Sequence, residues 1–204
     1  LLGPTINIHR HPLGGRHFES FSEDPFLTGK IASSYVQGVQ SQNVAACLKH
    51  FVGNDTEFER HSISSNIDEQ TLREIYLLPF EIGVKEGNAK VVMSAYNKLN
   101  NIYCSSHQEL LIEILKKEWG FDGYVVSDWG AALETEENAN GGLDLEMPGP
   151  GNVWGNALIN AIENKRVAED LIDDKVKRIL SIAEFSKRFD RPEIKSEEAI
   201  DNPE

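Results

Sequence analysis

Short apolar runs alternate with longer stretches of helical spacing along this chain. Thr5–Ile8, Val44–Val52, Val91–Ala95 and Tyr124–Val126 are brief apolar runs, each running into polar or turn-forming residues. Runs of that length and boundary predict buried strands. Leu143–Glu146 is a weaker fifth run, stopped by Pro148-Gly149-Pro150-Gly151.

Helical spacing fills the intervals. Asp24 stands at an N-cap position with Pro25 at the first helical position, which predicts a helix to about Gln42. Phe26, Ile31, Tyr35 and Val39 fall on its apolar face. Asp68 opens a second helix, with Leu72, Ile75, Tyr76, Pro79 and Ile82 on one face. Pro79 predicts a kink or break, and Gly87 a stop. Further helices are predicted over His107–Trp119, Ala131–Ala139, Val153–Asn164 and Ala168 to about Phe189. The polar, acidic residues 191–204 read as a linker or a cut end, leaving 1–190 as one folded unit.

Strand, helix, strand in steady alternation is the pattern of a parallel sheet with helical crossovers. The fold class is therefore α/β. An incomplete (β/α) barrel, truncated at its N-terminal side, fits better than a doubly wound sheet, although strand number alone leaves both open. No G-x-G-x-x-G opens a helix after a strand, which weakens a dinucleotide-binding reading.

Composition narrows the classes. The 204 residues suffice for one large domain. A formal net charge of -13 argues against nucleic acid and against anionic membrane surfaces, both of which select clustered Lys and Arg. No apolar stretch approaches the ~20 residues of a membrane span. The start at Leu1-Leu2-Gly3, without Met, is expected to be a truncation, so the compartment stays unknown. Cys47 and Cys104 lie in or beside apolar runs and are expected to be buried free thiols. No CxxC or Cys/His cluster with zinc spacing occurs, so a zinc site is not expected.

Candidate chemistry collects at the ends of the strands. The first leads to Arg10 and Arg16, the second to Lys49 and His50 with Arg60 in the following loop, and the third to Met93 and Tyr96. The fourth ends on Asp128 and Trp129. In a parallel sheet these ends open on one mouth. Cationic and imidazole donors can hold vicinal hydroxyls, aromatic faces can cover a pyranose ring, and a carboxylate can stabilise or trap an oxocarbenium-like centre. Blander readings stand beside each residue. Asp128 could cap the next helix, Lys49 and His50 could be solvated, and Met93 could fill the core. Arg16 could pair with Glu19 or Glu23, Trp119 and Trp154 could be packing, and Asp144 and Glu146 could cap or shape the Pro-Gly turn.

GPTINIHRHPLGGRHFESFSEDP, CLKHFVGND, VVMSAYNKLN, GYVVSDWGA and GLDLEMPGP together resemble glycoside hydrolase family 3, above all its β-glucosidase branch. The resemblance implies a TIM-like barrel domain and a retaining enzyme that releases terminal β-D-glucosyl residues, with Asp128 as nucleophile. It implies substrate binding by Arg16, Lys49, His50, Arg60, Met93, Tyr96 and Trp129. β-Xylosidase, exo-glucanase and an inactive sugar-binding relative remain alternatives. It further implies an upstream glycone-binding Asp and an acid/base Glu on a later α/β sandwich domain, both outside these residues, so the isolated chain is expected to be inactive. The β-N-acetylhexosaminidase branch carries a His acid/base in a KHFPGHG…DSH loop. KHFVGNDTEFERHS has Asn54 there and no Asp-Ser-His, so that branch is rejected; His61 is a nearby substitute but not the preferred one.

Overall fold

A computed structural model describes residues 1–151 and 153–190, so the expectation for 191–204 lies outside the described residues. At its centre, β1 (Cys47–Phe51), β2 (Val91–Ser94) and β3 (Tyr124–Ser127) pair in that order, all parallel. Thr5 forms a parallel bridge to Lys49 beyond β1, and Leu145 one to Val126 beyond β3. The strand order expected from the pattern is thus present, with the first and fifth segments reduced to single bridges.

Register places the chemistry. β2 and β3 pair without a slip from Val91↔Tyr124 to Ser94↔Ser127. The β1–β2 register slips between Leu48 and Phe51, around Lys49 and His50. The Lys49–His50 and Phe51–Val52 peptide bonds are cis.

Both faces of the sheet are covered, which is why its strands read as continuous apolar runs. Leu48, Val92 and Val125 join the main core with Phe80, Leu111 and Leu115. The alternate residues Cys47, Val91, Met93 and Val126 pack with Ile182 on the other face. Trp119 packs edge-on to Phe51 in the main core, ring centroids 5.9 Å apart, and Trp154 is partly buried with Nε1 donating to the Thr135 carbonyl at 3.1 Å. Cys47 and Cys104 are free and buried, and burial pushes both thiols up to about 12.

The helices differ from expectation in several instructive ways. Asp24 caps Pro25–Gln40 as expected, accepting from the backbone N–H of Phe26 at 2.8 Å and Leu27 at 3.0 Å. Its buried face, however, is Thr28, Gly29, Ala32, Ser33 and Val36, while Phe26, Ile31 and Tyr35 are 56%, 39% and 41% exposed. The cause is close approach to the Leu78–Lys85 helix: a Cβ on Gly29 would sit 2.7 Å from Ile82 Cδ1. Small residues line the contact and large ones fall outside it.

The second helix is broken near Pro79 as expected, with a π turn at Leu72–Tyr76 before Leu78–Lys85. Its stop is carried by Asn88 (φ 56°) rather than by Gly87. Gly87 instead permits a close crossing, since a Cβ there would sit 3.1 Å from Ser33 Cα of the Pro25–Gln40 helix, besides meeting the Gly83 carbonyl oxygen of its own last turn at 2.5 Å. The third helix contains a π segment over Glu109–Glu118, which apolar spacing alone does not reveal.

The helix expected from Ala131 begins later, at Thr135–Gly141, whereas Asn156–Glu163 and Glu169–Phe185 fall within the spans expected for them. A small sheet of Ser64–Ser65, Lys98–Leu99 and Ile102–Tyr103 replaces what reads as plain loop. Asn100 and Asn101, with φ 48° and 74°, make its hairpin turn. No helix among the described residues is long and apolar enough to cross a membrane.

Asp144 does not shape the Pro-Gly turn. Its carboxylate is fully buried, 2.7 Å from Lys116 Nζ and 3.9 Å from Lys175 Nζ, and accepts from the Val125 N–H at 2.8 Å. Burial pulls the Lys116 ammonium below its usual value and Lys175 to about 8, although Asp144 opposes both shifts. Glu146 is the turn-shaping residue, accepting from the N–H groups of Val153 at 3.1 Å and Trp154 at 3.0 Å. Lys116→Met should leave Asp144 poorly compensated and cost about 3 kcal/mol of stability, measured by denaturant unfolding.

Candidate active site

Asp128 follows directly on β3, and its N–H donates to the Ser94 carbonyl of β2 at 3.2 Å. The strand register thus fixes its backbone. The side chain is 11% exposed. Oδ1 accepts from the Trp129 N–H at 2.7 Å, and the Ala131 N–H donates to the Asp128 carbonyl at 2.9 Å. This closes a tight turn. Asp128 caps no helix, because the next one starts at Thr135 with Glu134 preceding it. Oδ2 is buried and has no hydrogen-bond partner among the described residues.

His50 lies beside it, with Nε2 at 3.4 Å from Asp128 Oδ2. It is buried rather than solvated, at 2% exposure. Burial first, then the charges of Arg16 and Lys49, lower its pKa to about 3; Glu19 opposes them and Arg60 adds least. The ring is therefore neutral at neutral pH, and its contact with Asp128 is no ion pair. Asn7 grips the His50 backbone from both sides, Oδ1 accepting its N–H at 2.8 Å and Nδ2 donating to its carbonyl at 2.9 Å. Asn7 Oδ1 also lies 3.4 Å from His50 Nδ1, and Arg16 Nη1 lies 3.2 Å from Nε2. These partners fit a proton on Nδ1 and an Nε2 that accepts from Arg16. In that tautomer His50 offers Asp128 Oδ2 no donor.

Arg16 pairs with Glu19, not Glu23: its Nε donates to Glu19 Oε1 at 2.6 Å, and its Nη1 is 4.0 Å from Glu57 Oε1. Burial pulls the guanidinium down, yet Glu19, Glu57 and Asp128 together leave its pKa above the usual value. Lys49 Nζ lies 3.8 Å from Glu19 Oε2, which also accepts from Thr5 Oγ1 at 2.6 Å. Glu19 is thus a hub, foreshadowed in the sequence only by its three-residue spacing from Arg16.

Arg60 pairs with Glu57, and its guanidinium lies over the Tyr96 ring, 4.5 Å from the centroid. His61 meets the same ring edge-on at 4.4 Å. Tyr96 Oη donates to the Trp129 carbonyl at 3.0 Å. Burial and the nearby Asp128 charge raise the Tyr96 phenol above its usual range. The Trp129 side of the turn is open, the residue being 43% exposed. Asn54 is buried with neither amide atom partnered among the described residues.

The structure therefore brings Arg16, Lys49, His50, Arg60, Tyr96 and Trp129 around Asp128. Met93 stands apart from the polar group, 2% exposed within the cluster of Cys47, Val91 and Val126. Asn7, Glu19 and Glu57 are the polar partners that strand-end reasoning passed over. A cavity of about 380 Å³ lies elsewhere: Ala45, Cys47, Val91 and Tyr124 line it at the entry ends of the strands. No group of three or more His, Cys, Asp or Glu among the described residues is arranged to hold a metal ion.

Comparison with known proteins follows the same lines. The family described as "Glycosyl hydrolase family 3 N terminal domain" matches residues 1–182. A β-glucosidase of Rhizobium radiobacter is 50% identical over all 204 residues, and β-glucosidase B of Emericella nidulans is 47% identical. The chain covers 25% and 24% of those proteins, so it spans about a quarter of their length. Among solved structures, β-glucosidase 3B of Thermotoga neapolitana in complex with α-D-glucose superposes with TM-score 0.90 at 45% identity, over 93% of this chain and 28% of that one. The Kluyveromyces marxianus β-glucosidase in complex with glucose gives 0.88 at 45% identity, over 92% and 23%. The open parallel α/β arrangement is accordingly part of a TIM-like barrel.

The neutral state of His50 has a measurable consequence. Its folded pKa lies below the ordinary 6.5, so between pH 6.5 and about 3 the unfolded chain takes up a proton that the native chain refuses. Stability from this group is present above that window and falls as pH falls through it, by up to about 1.4 kcal/mol per pH unit. Denaturant unfolding between pH 7 and 4 should show a shallower slope for His50→Gln than for the parent.

Proposed function

The chain belongs to glycosyl hydrolase family 3, and on that premise we propose that it supplies the nucleophile-bearing part of a longer, retaining β-glucosidase, with Asp128 as the nucleophile. The observation that carries this reading is the state of one carboxylate. Oδ1 is anchored by the Trp129 N–H at 2.7 Å, while Oδ2 is shielded and without a hydrogen-bond partner among the described residues. A nucleophilic oxygen needs a fixed direction and an available lone pair, and the backbone anchor on Oδ1 supports that reading.

The chemistry runs in two displacements. Asp128 Oδ2 attacks the anomeric carbon as the glycosidic oxygen leaves with a proton from a general acid, forming a covalent glycosyl-enzyme. The same acid, now a base, takes a proton from water. The water attacks the anomeric carbon and returns Asp128 as carboxylate, so configuration is retained. Arg16, Lys49 and Arg60 donate to sugar hydroxyls, neutral His50 adds an uncharged polar contact, and Tyr96 and Trp129 border the ring. Met93 lies beneath as packing. Neither a metal nor an organic cofactor takes part.

The acid/base is assigned to a Glu elsewhere in the longer protein, with the upstream glycone-binding Asp also outside this segment. Glu19 and Glu57, the carboxylates nearest the cations, are both engaged with them. Residues 1–190 would then form one folded part of that protein, with 191–204 a linker or a cut end. A terminal β-D-glucosyl unit is the favoured substrate, since the relatives are named as β-glucosidases and two solved neighbours hold glucose.

In the full-length enzyme, Asp128→Ala should lower kcat toward an aryl β-glucoside by about 10⁴-fold or more without unfolding the protein. Azide should partly restore turnover in Asp128→Gly. Undiminished hydrolysis by either variant would remove the assignment. The 204-residue chain alone should show no turnover above background in the same assay. Robust hydrolysis by it would place the acid/base within these residues.

A further inference from the structure

Glu19 is the acid on which two of the cations meet. Its Oε1 accepts from Arg16 Nε at 2.6 Å, and its Oε2 accepts from Thr5 Oγ1 at 2.6 Å with Lys49 Nζ 3.8 Å away. We propose that Glu19 is a positioning residue for the sugar-binding site, a single carboxylate that fixes the Arg16 guanidinium and the Lys49 ammonium relative to Asp128. This deepens the reading above, because it takes Arg16 and Lys49 as groups that bind sugar.

The anchoring is mechanical. Thr5 bridges in parallel to Lys49, and the Ile6 N–H donates to the Lys49 carbonyl at 2.8 Å. Thr5 and Lys49 are therefore tied at the backbone, and Glu19 ties them again through side chains. Glu19 lies in the short turn His17–Glu19, three residues from Arg16, so the same carboxylate reaches both cations without strain on the sheet. Bonding Arg16 through Nε fixes the plane of its fork and leaves Nη1 toward His50 at 3.2 Å. Lys49 gains a directing charge for a flexible side chain that would otherwise lose rotamer entropy when a sugar binds. Burial raises the Glu19 carboxyl, but Arg16, Thr5 and Lys49 outweigh it and hold it below its usual value, so the group is charged at neutral pH.

The test uses glucose affinity of the full-length enzyme, measured calorimetrically for the parent, Glu19→Gln, Arg16→Met and the double variant. Glu19→Gln keeps the size of the side chain and removes the charge. It should weaken glucose about 10-fold or more. If Glu19 acts through Arg16 and Lys49, the double variant should lose clearly less affinity than the product of the two single losses, the remainder reporting Lys49. Losses that simply multiply, or a Glu19→Gln affinity within about 2-fold of the parent, overturn the proposal. Should Glu19→Gln fail to fold, Thr5→Val removes one anchor while keeping the charge, and an affinity loss of about 3-fold is expected; no loss overturns it. Affinity does not require Asp128 to attack, so the cycle judges Glu19 even if Asp128→Ala keeps its turnover. A parent that binds no glucose overturns the sugar-site reading and the role of Glu19 together.

Discussion

The polar cluster rests on the parallel registration of three short strands. Ser94 pairs with Ser127, the Asp128 N–H donates to the Ser94 carbonyl, and the Ala95 N–H donates to the Phe51 carbonyl. These contacts bring the residues that follow each strand to one edge. A slip of one residue between β2 and β3 would turn every side chain to the other face and move Asp128 away from His50. The apolar packing on both faces holds that register, so core and site are one structural problem rather than two.

Around that frame, charge is arranged in alternation. Glu19 and Glu57 separate Arg16, Lys49 and Arg60, and the neutral His50 sits between Arg16 and Asp128. Three cations placed side by side without acids would repel one another in a partly buried site. With the acids present, Arg16 and Arg60 are held by hydrogen bonds and Lys49 by an ion pair at 3.8 Å. The Asp128 carboxylate is treated differently. One oxygen is tied to backbone and the other has no hydrogen-bond partner among the described residues, the asymmetry on which the proposed nucleophile role rests.

Much of this was legible in the residue order. Short apolar runs marked β1, β2 and β3, and Asp24 and Asp68 announced the starts of their helices through capping chemistry. The strand-end positions of Tyr96 and Asp128 follow directly from those runs, whereas Lys49 and His50 fall inside β1, at its register slip. What escaped has physical reasons. The Pro25–Gln40 helix buries its small residues because its neighbour approaches closely, a tertiary fact that apolar periodicity inverts. Asp144 reads as a turn residue but is an internal counter-ion, because Lys116 and Lys175 reach it from segments distant in sequence. Asn7 and Glu19 belong to the polar group through contacts across 43 and 30 residues, to His50 and Lys49, that no local pattern encodes.

The central claim is that Asp128 forms a covalent bond to the sugar. Treating the full-length enzyme with an activated 2-deoxy-2-fluoro-β-glucoside slows the second displacement and lets the intermediate accumulate. Peptide mass spectrometry of the inactivated enzyme should then find one fluoroglucosyl group, attached to Asp128. Complete inactivation with the label on any other residue would contradict the account.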